Sequence, residues 1–157
     1  MRIGELLSAV AYKPAEKKLR FPDYRIKGVS IDSRECQEGY AFICIRGSIC
    51  NGSLYAEEAI RRGARLLIAH ESEERYLYEI ISRYPECDGV FVEDERKAAA
   101  LLAAKYEGEP AKSLKMIGVT GTKGKTTTVY MIRKILSEAG IPTGMAGTIG
   151  QFDGRNL

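Results

Sequence analysis

The sequence has few of the residues that most often bind metal ions or activate nucleophiles. Its only histidine is His70, and none of its four cysteines stands in a C-x-x-C pair. Structural zinc sites draw on clustered cysteines and histidines, and a Ser-His-Asp arrangement needs a histidine beside the nucleophile. The composition therefore argues against a zinc site or a histidine-based triad within this chain.

Long apolar stretches and a secretory signal are also lacking. No apolar run approaches the about 18 residues that a membrane-spanning helix needs, and no signal peptide opens the sequence. Cysteines of a protein without such a signal are expected to stay reduced. We therefore expect a cytoplasmic protein with reduced thiols and no membrane partner.

One segment lacks acidic residues. Between Pro110 and Ser137 there are six Lys and Arg residues and no Asp or Glu, whereas the net charge of the whole chain is only +3. That small net charge does not support nucleic acid as a partner. The local excess favours an anionic ligand near this segment, although a solvated basic helix face explains much of it equally well.

Strand and helix patterns alternate along the 157 residues. From Gly28 onward the order is strand, strand, helix, strand, helix, strand, helix, which indicates an α/β fold with a largely parallel sheet. We expect Ser53 and Asp94 to cap the helices that follow them, and Gly63 and Gly108 to end those helices. The patterns lie in IGELLSAV (helix), GVSIDS and YAFICIRG (strands), LYAEEAIRR (helix), ARLLIAH (strand), SEERYLYEIISRY (helix), GVFVE (strand) and ERKAAALLAAKYE (helix).

The polar stretch EGEPAKS, Glu107–Ser113, is the best candidate for a domain boundary. It separates a first domain, residues 1–110, from residues 111–157, which contain a strand in LKMIGV, a glycine-rich loop, a helix in KTTTVYMIRKILSEA and a strand in TGMAGTIG. We interpret this second piece as the opening βαβ part of an incomplete domain, because usual domains have at least about 50 residues.

A single βαβ piece cannot cover both faces of a parallel sheet. We therefore expect the helix of the second piece to keep apolar residues partly exposed or to pack them on another surface, with self-association or local disorder as the result. The residues concerned are Met131, Ile132, Ile135 and Leu136.

The segment IGVTGTKGKTTT, Ile117–Thr128, has the features of a phosphate-binding loop. It fails the strict pattern G-x-x-x-x-G-K-[ST], because Val119 stands at the first glycine position. Glycines nonetheless let the backbone approach a phosphate, and N–H groups at a helix start form an anion cradle. We expect Lys125 to reach the β- and γ-phosphates and Thr126 to place its hydroxyl on Mg²⁺. The alternative is a glycine-rich turn with an incidental lysine.

The loop GVTGTKGKTTT resembles the ATP loop of the Mur ligase family, whose pattern is G-T-[NK]-G-K-T-T. Upstream, VSIDSRECQEGYAFICIRG resembles the first domain of the branch that adds the third residue of the peptidoglycan stem peptide. The junction EDERKAAALLAAKYEGEPAKS and the later AGIPTGMAGTIG resemble the same branch. The resemblance implies a uridine-nucleotide-binding N-terminal domain followed by the truncated start of a P-loop ATPase domain, which is about the first third of a whole ligase.

For the activity, the resemblance implies an ATP- and Mg²⁺-dependent acid–amino-acid ligase. ATP would phosphorylate the D-Glu carboxylate of UDP-N-acetylmuramoyl-L-alanyl-D-glutamate (UDP-MurNAc-dipeptide), and the amine of meso-diaminopimelate or lysine would attack the acyl phosphate. The implied ATP-binding residues are Gly121, Thr122, Lys123, Gly124, Lys125, Thr126 and Thr127. The residues implied for the uridine end of the substrate are Ile31, Ser33, Ser48, Ile49 and Cys50.

Some features depart from the family or leave alternatives open. Asn51-Gly52-Ser53 stands where the family often has Asp-Gly-[His/Arg], and Ser33 can equally cap a turn beside an Asp32–Arg34 ion pair. The family's later substrate loop, acidic metal ligands and C-terminal domain are missing, so we expect this chain alone to be inactive. Other interpretations are a stand-alone UDP-sugar or partner-binding module, a folylpolyglutamate-synthase-like ligase, and another P-loop ATPase or kinase.

Overall fold

A five-stranded sheet organises the first part of the chain. In the computed structural model, which describes residues 1–47 and 50–153, the strand order is β1-β5-β4-β3-β2. Strands β2 to β5 pair in parallel, and β1 pairs antiparallel with β5. The bounds are Lys13–Pro14 (β1), Gly28–Ser30 (β2), Tyr40–Ile43 (β3), Leu66–His70 (β4) and Asp88–Val92 (β5). The α/β fold with a largely parallel sheet is confirmed, and β1 lies where the sequence indicates only a loop.

Helices cover both faces of this sheet. Their bounds are Ile3–Leu7 (α1), Ala56–Arg61 (α2), Glu74–Arg83 (α3) and Glu95–Tyr106 (α4). Successive side chains of a strand point to opposite faces. Accordingly, Phe42 and Phe91 pack in one core layer with α2 and α3. Ile43 and Val90 pack in the other layer with α1 and α4.

The helix ends follow the sequence expectations in part. The carboxylate of Asp94 accepts hydrogen bonds from the backbone N–H groups of Arg96 and Lys97, as expected of the cap of α4. Gly63 and Gly108 follow α2 and α4 with φ values of +108° and +77°, as helix-ending glycines do.

The prediction that Ser53 caps a helix is wrong. The capping residue in this segment is Asn51, whose side-chain oxygen accepts the N–H of Ser53 at 3.1 Å, and it caps a 3₁₀ turn and not α2. A 3₁₀ turn, Gly52–Tyr55, then precedes α2, and Ser53 lies fully buried inside it. The side-chain oxygen of an Asn readily accepts a hydrogen bond from the backbone N–H two residues later, so Asn is an effective capping residue at this position.

A second compact unit begins at Lys115. It contains α5 (Lys125–Glu138), which was expected, and the antiparallel strands β6 (Met145–Gly147) and β7 (Gly150–Phe152). The strand expected in TGMAGTIG is confirmed as β6, and β7 is its hairpin partner, which the sequence did not predict. The strand expected in LKMIGV is wrong. Its backbone finds no strand to pair with among the described residues, and strand formation depends on such a partner.

Helix α5 shows the partial exposure that the sequence predicts. Met131 and Ile135 are exposed, and no residue of α5 is fully buried. On another face, Tyr130 meets Phe152 of the hairpin edge to face, with 6.0 Å between ring centroids. The expected self-association stays a prediction.

Gly63 and Gly108 differ in how closely another backbone segment approaches them, so replacing each one shows how much this approach matters for the stability of the first unit. A Cβ built at Gly63 would lie 2.5 Å from the Cα of Glu38, whereas one at Gly108 would meet nothing within 4 Å. We expect Gly108→Ala to lower the free energy of unfolding by about 1–2 kcal/mol through its positive φ alone. Gly63→Ala should cost about 1–3 kcal/mol more because the backbone of Glu38 must move. Urea unfolding of both variants measures the difference, and equal losses would contradict it.

Candidate nucleotide-binding sites

The loops after β2 and β3 lie side by side, because these parallel strands are neighbours in the sheet. Ligands of open α/β sheets bind at the carboxyl ends of the strands. Ile31 follows β2 with 60% of its surface exposed, and Cys50 is also exposed in the segment after β3. Ser48 and Ile49 lie outside the described residues. The described uridine candidates thus follow adjacent strands at one edge of the sheet.

Helix α2 packs against both of these segments, touching the 3₁₀ turns Ser33–Glu35 and Gly52–Tyr55. Ser33 is 5% exposed, and its hydroxyl donates a hydrogen bond of 2.7 Å to the carboxylate of Glu58 on α2. This bond, with further help from Arg62, lowers the pKa of Glu58. The Ser33 side chain therefore fastens its loop to α2, and its backbone is the part left to meet a ligand.

The cap of the Ser33–Glu35 turn is Asp32 and not Ser33. The carboxylate of Asp32 accepts the N–H of Arg34 at 2.9 Å and binds its guanidinium with a shortest distance of 2.6 Å. The side-chain bond from Arg34, then the backbone bond, lowers the pKa of Asp32 to about 2. The Asp32–Arg34 ion pair suggested by the sequence is thus present, while Ser33 as the capping residue is wrong.

Two short segments after β3, Ile45–Gly47 and Cys50–Gly52, pair with each other and are together called the hairpin. The backbone N–H of Gly47 donates to the carbonyl of Cys50 at 2.9 Å, and that of Gly52 donates to the carbonyl of Ile45 at 2.9 Å. A Cβ at Gly52 would lie 2.6 Å from this Ile45 oxygen, so the close approach requires glycine. The Cys50 sulfur lies 3.1 Å from the Tyr55 hydroxyl. The glycine turn is retained although Asn51 replaces the family's usual aspartate.

An ion pair at this edge was not foreseen from the sequence. Glu95, which is 4% exposed, accepts hydrogen bonds on Oε1 from the backbone N (3.2 Å) and Nε (3.0 Å) of Arg46. Burial raises the pKa of Glu95, but the bonds from Arg46 and from backbone N–H groups outweigh it, and the pKa is lowered. Both residues line a cavity of about 960 Å³. Glu95 carries no sequence signal beyond its place at a helix start, where acidic residues are common.

The glycine-rich loop leads directly into the first turn of α5. Gly124 immediately precedes α5 with a φ of +78°, and no side chain caps the first turn of α5 in the described structure. The ammonium group of Lys125 folds back and donates to the carbonyl of Gly121 at 2.5 Å. Residues 120–127 are exposed, so the N–H groups of the loop, Lys125 and the neighbouring Thr126 can meet an anion from solvent.

Other kinds of site find little support among the described residues. Residues 1–47 and 50–153 contain no group of three or more His, Cys, Asp or Glu side chains that could hold a metal ion. No helix in these ranges has the length and apolarity needed to cross a membrane.

Comparison with known proteins identifies the class to which this fold and loop belong. The family model "Mur ligase family, catalytic domain" matches residues 25–107. The model "Mur ligase middle domain" matches residues 119–156. This chain belongs to the Mur ligase family.

Individual relatives agree with the family. A UDP-N-acetylmuramoyl-L-alanyl-D-glutamate–2,6-diaminopimelate ligase of Clostridium botulinum is 39% identical over 155 residues, which are 99% of this chain and 30% of that protein. The ligase of the same name from Aquifex aeolicus is 40% identical over 125 residues, 80% of this chain and 24% of that protein. A crystal structure of MurF from Acinetobacter baumannii matches with a TM-score of 0.62 and 26% identity, covering 87% of this chain and 27% of that one. The chain thus spans about 30% of the length of the first of these relatives.

The Asp32–Arg34 pair gives a prediction for pH. Because the pKa of Asp32 is lowered to about 2, its ion pair stabilises the fold above the unfolded-state pKa of about 3.9 and loses that contribution as the pH falls toward 2. We expect the melting temperature of the unaltered protein to fall more steeply between pH 5 and pH 3 than that of Asp32→Asn, whose amide keeps the capping oxygen. Parallel slopes in calorimetry at several pH values would show that this pair contributes nothing.

Proposed function

We propose that this chain is the nucleotide-sugar-binding and ATP-loop part of a ligase of peptidoglycan synthesis that acts on UDP-MurNAc-dipeptide. The relatives from Clostridium botulinum and Aquifex aeolicus are named as 2,6-diaminopimelate ligases, which supports this amino acid as the second substrate of the longer protein. Such a reaction uses cytoplasmic nucleotide precursors, and we place the protein in the cytoplasm. In this view residues 1–110 receive the UDP-MurNAc part, and residues 111–157 begin the ATP-binding domain.

The observation that carries the proposal is the geometry of the loop before α5. Gly124 takes a left-handed backbone conformation that a side chain disfavours, and the first turn of α5 keeps its N–H groups free of side-chain caps. Lys125 is the first residue of this helix, and its Nζ lies 2.5 Å from the carbonyl oxygen of Gly121. A phosphate is a stronger partner for an ammonium group than a neutral carbonyl is, so an incoming phosphate would replace this contact. We assign ATP binding to the stretch Gly121–Thr127, with Thr126 as the residue that meets the Mg²⁺ of ATP.

The uridine end of the substrate is proposed to bind where β2 and β3 end. Ile31 offers an exposed apolar surface for a planar base, and the hydroxyl of Ser33 is held by Glu58 so that the loop backbone keeps one shape. The proposal extends to Ser48, Ile49 and Cys50 from the resemblance alone. Turn backbone groups can bind the polar edge of a uracil without regard to side-chain identity.

The residues of this chain would contribute binding and charge placement. ATP, when bound, supplies the phosphoryl group that activates the substrate carboxylate. The loop N–H groups orient the phosphates, Lys125 neutralises their charge, and Thr126 contributes one oxygen ligand to the metal. Each of these roles needs only the start of α5 and the loop before it.

Calorimetry on the 157-residue chain tests the proposal directly. We expect both UDP-MurNAc-dipeptide and Mg-ATP to bind, and Lys125→Ala to weaken Mg-ATP binding roughly 10- to 100-fold through loss of a charge-assisted bond. Lys134→Ala is the matched control, because Lys134 lies on the same helix but pairs with Glu138 at 2.6 Å. It should bind Mg-ATP as the unaltered chain does.

The other results of this experiment separate the alternatives. Binding of the UDP-sugar without any Mg-ATP binding would favour a UDP-sugar module that does not use ATP. Binding of Mg-ATP without the UDP-sugar would favour another P-loop protein. If neither ligand binds, the proposed function is wrong for this chain.

A further inference from the structure

We propose that the first turn of α4, through Glu95 and Arg96, is a positioning device that holds the hairpin after β3 in the shape that receives the uridine end of the substrate. The inference rests on the proposed function for the identity of the ligand. The inference goes beyond the proposed function because it assigns a role to residues from a different part of the chain. Neither residue is expected to touch the substrate.

The backbone of Arg46 is held on both sides by this turn. Its N–H donates to Glu95 Oε1 at 3.2 Å, and its carbonyl accepts a hydrogen bond of 3.0 Å from Nη2 of Arg96. Arg46 pairs with Asn51 across the hairpin, and Gly47 follows it directly. Fixing the peptide groups on both sides of Arg46 therefore fixes the base of the hairpin.

The side chain of Arg46 adds a second set of restraints. Its Nε donates to the same Glu95 oxygen at 3.0 Å, and its Nη1 donates to the Ser72 hydroxyl at 3.2 Å. Ser72 in turn lies 2.9 Å from Nδ1 of His70, the last residue of β4. One guanidinium thus connects the segment after β3 with the segments after β4 and β5. A planar group with several donors in fixed directions is suited to this task.

The burial of Glu95 favours one position of the hairpin over others. Glu95 is 4% exposed, so its charge requires the bonds from Arg46 and would be costly without them. The fold consequently favours the one hairpin position in which Arg46 satisfies Glu95. Arg96, by contrast, is exposed, and its contribution to the hairpin is the single bond to the Arg46 carbonyl. Removing its side chain should leave the core intact.

Arg96→Ala is therefore the informative variant, and Lys97→Ala is its matched control. Lys97 is the next residue on the same turn, is also exposed and carries the same charge, and no hydrogen bond joins its side chain to the hairpin within the described residues. We expect Arg96→Ala to weaken binding of UDP-MurNAc-dipeptide to the 157-residue chain about tenfold, since it loses one charge-assisted bond. The affinity of Lys97→Ala for UDP-MurNAc-dipeptide should stay within about twofold of that of the unaltered chain. Arg96→Lys should recover part of the affinity that Arg96→Ala loses. Mg-ATP binding should be the same in all of them.

Amide hydrogen exchange without ligand distinguishes positioning from direct contact. The N–H groups of Gly47 and Gly52 should exchange faster in Arg96→Ala than in Lys97→Ala, because both are bonded within the hairpin. Lost affinity with unchanged exchange would mean that Arg96 touches the substrate, and it would overturn the positioning role. Unchanged affinity in Arg96→Ala would also overturn it. If the unaltered chain binds Mg-ATP but not UDP-MurNAc-dipeptide, the uridine assignment fails and the inference fails with it.

Discussion

The organisation of this protein depends on the need to bury a parallel sheet on both faces. Strands β2 to β5 carry apolar side chains in both directions, and each face needs its own helices. The chain meets this by placing α2 and α3 on one side and α1 and α4 on the other. Because every crossover returns the chain to the same end of the sheet, the loops after all four parallel strands collect at the carboxyl edge.

That edge carries the polar groups that the core excludes. The Asp32–Arg34 pair and the Ser33–Glu58 bond shape the loop after β2, while the Arg46–Glu95 pair holds the segment after β3. The interactions differ in burial, and only Glu95 among their carboxylates is nearly inaccessible to solvent. An exposed pair can open and close at little cost, whereas a buried charge must keep its partner. The Arg46–Glu95 contact is for this reason the firmest link at the edge.

In the second unit, the local sequence patterns predict the helix better than they predict the strands. Its helix α5 forms where the sequence predicts it, directly after the glycine-rich loop. Of its two expected strands, β6 forms, with β7 as its hairpin partner. The strand expected in LKMIGV does not form, and Met116 and Ile117 lie exposed there without strand pairing. A helix closes its hydrogen bonds within itself, but a strand needs a neighbour. Local signals therefore located α5 and β6 correctly, but they could not report that the segment before the loop has no strand to pair with among the described residues.

The sequence by itself determined the order of strands and helices from Gly28 to Tyr106, the Asp94 cap, the helix-ending glycines and the position of α5, because each depends on residues near one another in the chain. It also carried the family resemblance that the comparisons confirmed. The choice of Asn51 over Ser53 as a cap is local but became clear only in the structure, whereas tertiary packing alone decided that Ser33 bonds to Glu58 and that Glu95 binds Arg46. Arg46 and Glu95 are 49 residues apart in sequence, and no local pattern reports that a strand end and a helix start will meet. Their contact exists because β3, β4 and β5 end at one edge of the same sheet.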